Sequence, residues 1–230
     1  MADPFYDRRV PGVAGRLRAT VARWLFPVAC LGCGRELSGE EALHLCAACR
    51  ARLRPPAPAA TESGPAGLSI LSLWRYEPPL DGVILALKFR RLDYLGRHLA
   101  RDLAAALGDR LAGAEVVVPV PLHWTRRVAR GFDQAERIAV PLAERLGLPV
   151  ERSLARRRPT RAQARLGRAA RRGNLSDAFR VVRPAGVAGR RVLLVDDVAT
   201  TGATLEAAAE ALSAAGAAEV RAVTVARTVL

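Results

Sequence analysis

The stretch Val192-Leu193-Leu194-Val195-Asp196-Asp197-Val198-Ala199-Thr200-Thr201-Gly202-Ala203-Thr204-Leu205 decides how this chain is read. The apolar run Val192–Val195 predicts a strand buried on both faces. Two carboxylates, Asp196 and Asp197, stand at its C-terminal end. Small and hydroxyl residues then lead into an expected helix over Ala203–Ala215. Parallel sheets bind ligands outside the carboxyl ends of their strands. The turn into the helix offers free backbone N–H groups and the positive end of the helix dipole to a phosphate. Gly202 lets the backbone approach closely, and Thr200, Thr201 and Thr204 add hydroxyl donors. Asp196 and Asp197 repel a phosphate, so their natural partners are ribose hydroxyls and Mg²⁺. A phosphate, a ribose and a metal in one pocket describe a phosphoribosyl donor. The bland alternative is a strand and a Thr-capped helix, with acids, threonines and glycine coinciding by chance.

Around this stretch, elements of two kinds alternate. Strands are expected at Leu68–Tyr76, Glu115–Val120, Ala178–Val182, Arg191–Val195 and Glu219–Ala226. Helices are expected at Leu80–Phe89, Leu95–Leu107 and Gln134–Leu146, the last disturbed at Pro141. The alternation implies a mostly parallel sheet with helices on both faces. A Pro, Ala, Thr, Ser and Gly stretch over 55–67 reads as a linker between residues 1–54 and a domain over 68–230. Near the start, Val13, Leu17, Val21 and Leu25 form a helical stripe.

Composition narrows the class. The chain has 230 residues, half of them hydrophobic, which suffices for a sizeable core. No window approaches ~18 consecutive apolar residues, so no transmembrane helix is expected. The apolar stretch near Trp24–Leu31 is interrupted by Pro27 and lacks a cleavage pattern, which argues against a signal peptide and for a cytoplasmic protein. The net charge is +14, and residues 152–191 carry thirteen arginines against one acid, Asp177. The basic excess is therefore local and points to a polyanion, either pyrophosphate or a DNA strand. Lys88 is the chain's one lysine. A site needing a compact ammonium would account for it, and so would chance.

The four cysteines lie in one window as Cys30-Leu-Gly-Cys33 and Cys46-Ala-Ala-Cys49. Two such knuckles close a tetrahedron around one structural Zn²⁺, where a disulfide framework would be spread along the chain. Free thiols or a redox pair are the alternative. His44 is a spare candidate ligand. The module either binds a partner or braces the larger domain.

The Asp196–Thr204 segment resembles the 5-phosphoribosyl 1-diphosphate (PRPP) signature of type I phosphoribosyltransferases. Further segments narrow the likeness to the ComF family. They are Val117-Val-Pro119-Val-Pro121-Leu-His123 with Arg126, Arg127 and Arg130-Gly-Phe-Asp-Gln-Ala135; the run Arg157, Thr160, Gln163, Leu166, Arg171, Asn174 and Ala178-Phe179; Leu87-Lys88-Phe89; and the double CxxC. The resemblance implies a type I phosphoribosyltransferase-like α/β fold, a parallel sheet with flanking helices, behind a small zinc-ribbon-like module. It implies donor binding by Asp196, Asp197, Thr200, Thr201, Gly202, Ala203 and Thr204, with the acids holding ribose and Mg²⁺ and acting catalytically. Lys88, Pro121, Arg126, Arg127 and Arg130 are the pyrophosphate candidates, although the arginines also suit a solvated loop. Thr160, Gln163 and Arg171 belong to a candidate mobile loop closing over the donor; Thr160 and Gln163 also suit an ordinary helix surface. Asp133 departs from the family's usual Asn. As a helix cap Asp serves equally well, whereas against pyrophosphate it would weaken contact.

The implied activity is Mg²⁺-dependent phosphoribosyl transfer with pyrophosphate release. No base-binding hood is recognisable, so the acceptor is open. Two alternatives stand beside it. One is a non-catalytic PRPP sensor. The other, implied by the family's link to natural competence, is an accessory that handles single-stranded DNA beside a DNA translocase. Aromatic residues for base stacking are scarce at 5%.

Overall fold

The computed structural model describes residues 28–37, 42–56, 68–90, 92–122, 128, 131–156 and 178–228. The candidate helix over 13–25 and most of the 55–67 stretch lie outside these residues. The strands are β1 (Ile70–Arg75), β2 (Val116–Pro119), β3 (Leu154–Arg156), β4 (Phe179–Val181), β5 (Arg191–Ala199) and β6 (Glu219–Arg227). The α-helices are α1 (Ala47–Arg50), α2 (Leu80–Phe89), α3 (Leu95–Leu107), α4 (Gln134–Leu146) and α5 (Ala203–Ala214).

A four-stranded sheet in the order β1-β6-β5-β2 is parallel throughout. β2, β5 and β6 are valine-rich, as suits a sheet covered on both faces. Val117, Leu193, Val195, Val223 and Val225 share one core with α2, α3 and α4. Val116, Val118, Val192, Leu194 and Ala222 share the other with α5, Leu154 and Phe179. Period-two alternation sends successive residues of each strand to opposite cores. The strand β3, not foreseen in the sequence, pairs antiparallel with β4 as a separate ribbon.

Connectivity places the functional end of the sheet. The segment after α4 adds a rung outside β2, the Val117 amide donating to Pro149 O at 2.9 Å and the Glu151 amide to Val117 O at 2.8 Å. The chain thus winds outward from β2 across one face. From β5 it winds the opposite way, through α5 to β6, across the other face. The boundary between β2 and β5 is a topological switch point, where open α/β sheets leave a crevice beyond the strand ends. β2 stops pairing at Pro119↔Val195, while β5 continues beside β6 to Ala199↔Arg227. The expected strand Arg191–Val195 is therefore four residues too short. The acids do not break it, because β6 still supplies backbone partners there.

Pro141 stays inside α4. It removes the bond that Arg137 O would accept in an unbroken helix. Gly96 on α3 lies against that carbonyl, and a β-carbon on Gly96 would overlap it. The proline thus coincides with close packing of α3 on α4. The cysteine knuckles do not stand apart. Cys30, Leu37, Leu43, Leu45, Cys46 and Cys49 are buried in the same core as Leu80, Leu99 and Leu193.

Candidate functional site

Asp196 and Asp197 lie on the part of β5 that extends past β2. Asp197 turns toward α2 and is buried, 7% exposed. There Lys88, in the last turn of α2, places Nζ 2.8 Å from Asp197 Oδ2. The single lysine thus contacts the acid pair directly. Asp196 is half-buried. Its Oδ1 accepts the Asp197 amide at 2.8 Å. Burial pushes the Asp196 carboxyl up to about 8, helped by the charges of Asp197 and Asp133 and opposed by the Asp197 amide and Lys88.

Asp133 is the residue whose importance was least visible in the sequence. It is buried and caps α4, with Oδ1 accepting the Ala135 amide at 3.1 Å. Its Oδ2 accepts the Leu122 amide at 2.8 Å, tying the turn after β2 to the start of α4. Burial raises its pKa, against the amides of Leu122, Glu136 and Ala135. The cap was legible from its place before Gln134; the bond across eleven residues to Leu122 was not. In this chain the acid is a strap, since an asparagine has only one carbonyl oxygen to offer two amides.

After β5, Thr200 and Thr201 are exposed, Gly202 is buried, and Ala203 and Thr204 are half-buried. Gly202 caps α5 with φ 81°, a left-handed conformation that favours glycine. Thr201 Oγ1 accepts a long 3.4 Å bond from the Ala203 amide. The Val120 amide donates to Val195 O at 2.9 Å, which holds the half-buried Pro121 beside the acid pair. The structure therefore gathers Asp196, Asp197, Lys88, Pro121 and the Thr200–Thr204 turn at the switch point. Arg126, Arg127, Arg130, Thr160, Gln163 and Arg171 lie outside the described residues. β3 and β4 flank residues 157–177, and the Arg156 guanidinium sits 5.2 Å from the Phe179 ring centroid.

The cysteines form a second centre. The four Sγ atoms lie within 4.8 Å of one another and none is in a disulfide. Cys33 and Cys46 sulfurs are 3.8 Å apart. A tetrahedral thiolate cage with Zn–S bonds of about 2.3 Å has an edge of about 3.8 Å, whereas a disulfide is about 2.05 Å. Burial acts to raise the Cys30 thiol, but the amides of Cys46, Cys33 and Gly32 and the Cys33 side chain bring it down to about 6. Burial and the neighbouring thiols push Cys49 up to about 12. A divalent cation bound there would favour the Cys30 thiolate further and offset the rise at Cys49. The geometry and donor set fit a structural zinc. His44 points elsewhere, with Nε2 2.7 Å from Tyr94 Oη.

Two family descriptions match different parts of the chain. The family description "Phosphoribosyl transferase domain" matches residues 93–228, and "Double zinc ribbon domain" matches residues 21–61. The DNA utilization protein YhgH of Salmonella typhimurium is 32% identical over 221 residues, covering 92% of this chain and 95% of that protein. Competence protein F of Haemophilus influenzae is 31% identical over 202 residues, covering 84% and 87%. Among solved structures, a glutamine PRPP amidotransferase from B. subtilis aligns over 57% of this chain and 25% of its own, at 27% identity and a TM-score of 0.38.

Proposed function

This chain belongs to the ComF family, with a phosphoribosyltransferase domain behind a zinc ribbon, and we propose that it binds PRPP with Mg²⁺ and transfers the phosphoribosyl group with release of pyrophosphate. The observation that carries this reading is the meeting of an acid pair and a glycine-capped helix N-terminus at the sheet's switch point. The turn Thr200–Thr204 would take the 5-phosphate through backbone amides and hydroxyls. Asp196 and Asp197 would hold the ribose hydroxyls. Asp196 and Asp197 offer the oxygen donors that suit a hard cation, and Asp197 already holds the ammonium of Lys88. Mg²⁺, when bound, would neutralise charge as pyrophosphate departs. Lys88 and Pro121 are the candidates to contact the departing pyrophosphate, to which Arg126, Arg127 and Arg130 would offer matching guanidinium forks. In transfer, the acceptor would attack C1 as the bond to pyrophosphate breaks, with the carboxylates facing the oxocarbenium-like charge.

Titration calorimetry of the full chain with PRPP and MgCl₂ tests the binding step. Saturable binding is expected, with a loss of at least about 100-fold in affinity for Asp196→Ala/Asp197→Ala, as several charge-assisted contacts disappear. No binding by the unsubstituted protein would sink the reading. Pyrophosphate release across a panel of acceptors then separates transfer from sensing.

A second reading rests on the names of the relatives and on the arginines of 152–191. We propose single-stranded DNA as a further ligand of this cytoplasmic protein, handed on by a DNA translocase. Its affinity should fall steeply with salt and survive the double Asp substitution; a flat salt dependence excludes a backbone-tracking surface.

A further inference from the structure

One helix touches both centres. Gly32, in the turn between Cys30 and Cys33, is wedged against two neighbours: a β-carbon there would lie 2.5 Å from Pro79 Cβ and 3.0 Å from Cys49 Sγ. A metal-ligating sulfur is therefore one van der Waals layer from the residue that precedes α2. One residue along the knuckle, the Leu31 carbonyl faces Gly82 in the first turn of α2, and a β-carbon on Gly82 would overlap it. The Leu31 amide is meanwhile tied to His44 O at 2.8 Å, so this strand of the knuckle is held from behind. At the other end of α2, Lys88 pairs with Asp197.

Between these ends, α2 has little freedom to bend or slide. Leu80, Val83, Ile84, Ala86 and Leu87 are buried along it. Ten residues of α-helix span about 15 Å, and a helix this short moves as a rigid body. A second clamp fixes the knuckles to the neighbouring helix: Arg50 of α1 donates to the largely buried Asp102 of α3 at 2.8 Å. The contact at Gly82 is backbone against backbone, so it does not relax by a rotamer change. Any change in the Cys30–Cys33 turn must be met by α2, and α2 ends on the acid pair.

We propose that the four-cysteine centre positions Lys88 through α2, so that zinc occupancy and occupancy of the acid site by Mg²⁺ and PRPP are thermodynamically linked. Gly82 and Gly32 are the positioning residues of this link, and Lys88 is its output. The proposal rests on the donor-site reading above. Linkage is reciprocal: whatever zinc does for donor affinity, the donor must do for zinc affinity, by the same factor.

That reciprocity supplies the test. Zinc-loaded full-length protein is titrated with a colorimetric zinc chelator at constant MgCl₂, with and without saturating PRPP. PRPP should raise the apparent zinc affinity by about fivefold or more, the lower range of measured coupling between sites. Asp196→Ala/Asp197→Ala controls for chelation by PRPP itself and should show no shift. Lys88→Ala should reduce the shift below about twofold at saturating PRPP. Gly82→Ala at full zinc occupancy should weaken PRPP binding, and this loss should vanish when Lys88 is already alanine. A purely structural role for Gly82 would give the same loss in both backgrounds and would overturn its assignment. Should Gly82→Ala not fold, the chelator titration of the other proteins still decides. Unchanged zinc affinity in a protein that binds PRPP overturns the linkage and leaves the donor site standing; no PRPP binding overturns both.

Discussion

The thiol cluster and the acid cluster pose the same electrostatic problem and solve it differently. Each crowds anionic groups into a partly buried space. The cysteines come from two short knuckles, Cys30–Cys33 and Cys46–Cys49, and their sulfurs converge to within 4.8 Å of one another. Their answer is a cation from outside. The carboxylates come from β5 and the start of α4, and α2 has already sent them an ammonium. The acid site is therefore partly neutralised before any ligand arrives. Local spacing suffices to build the first cluster, whereas the second exists only because three elements meet at one end of a sheet.

Removal of the outside cation should have the largest consequence. Cys46→Ser should bind less than one zinc per chain by metal analysis and lose the cooperative melting of the intact protein. Structural zinc contributes roughly 10–16 kcal/mol to isolated zinc-finger peptides, so this is the largest effect anticipated. If the variant keeps its zinc and its melting temperature, the four thiols are not a structural cage.

The inside cation gives a smaller and reversible effect. Asp197→Ala strands Lys88, and the chain should lose about 2–3 kcal/mol of stability to urea, below the cost of breaking a fully buried pair because both side chains keep some water. Lys88→Met in the same chain should recover most of that loss. An additive double substitution would mean that the pair contributes little.

Asp196 should respond with the opposite sign. Its folded carboxyl titrates near 8, above the ordinary value of 3.8. The folded state thus holds a proton that the unfolded chain releases. Stability from this group is complete below about pH 4 and is lost as pH rises through about 8. In metal-free protein, Asp196→Asn should be as stable as the parent at pH 4 and more stable by about 2 kcal/mol at pH 9, less than full linkage allows because Asp196 is not wholly dry. Thermal melts across this range check it. A stability gap independent of pH would mean that Asp196 is not held protonated by burial.

Reading the sequence recovered most elements because their signals are local. The valine runs of β2, β5 and β6 and the helical patterns of α2 to α5 announce themselves within a dozen residues. The short strand β3 was missed because three residues, Leu154–Arg156, carry no periodicity and look like the arginine-rich segment that follows. The sequence leaves Asp133 between a helix cap and a pyrophosphate contact; in the fold it caps α4 and also straps Leu122, a bond with no local signal. Lys88 was singled out by its rarity and assigned to pyrophosphate; its pairing with Asp197, 109 positions away, has no local trace.

The cysteine knuckles, the acid pair, the glycine and threonine turn after it and the parallel α/β class are all written locally in the chain. Each depends on residues close enough in the chain to share one turn, one strand or one helix face. The neighbours of the acid pair are set by long-range packing. It put Lys88 on Asp197, brought Asp133 within electrostatic reach of Asp196, and seated the first knuckle on the helix that carries Lys88. Those juxtapositions depend on strand order and on backbone-to-backbone packing at Gly82, which reside in no single segment of the chain.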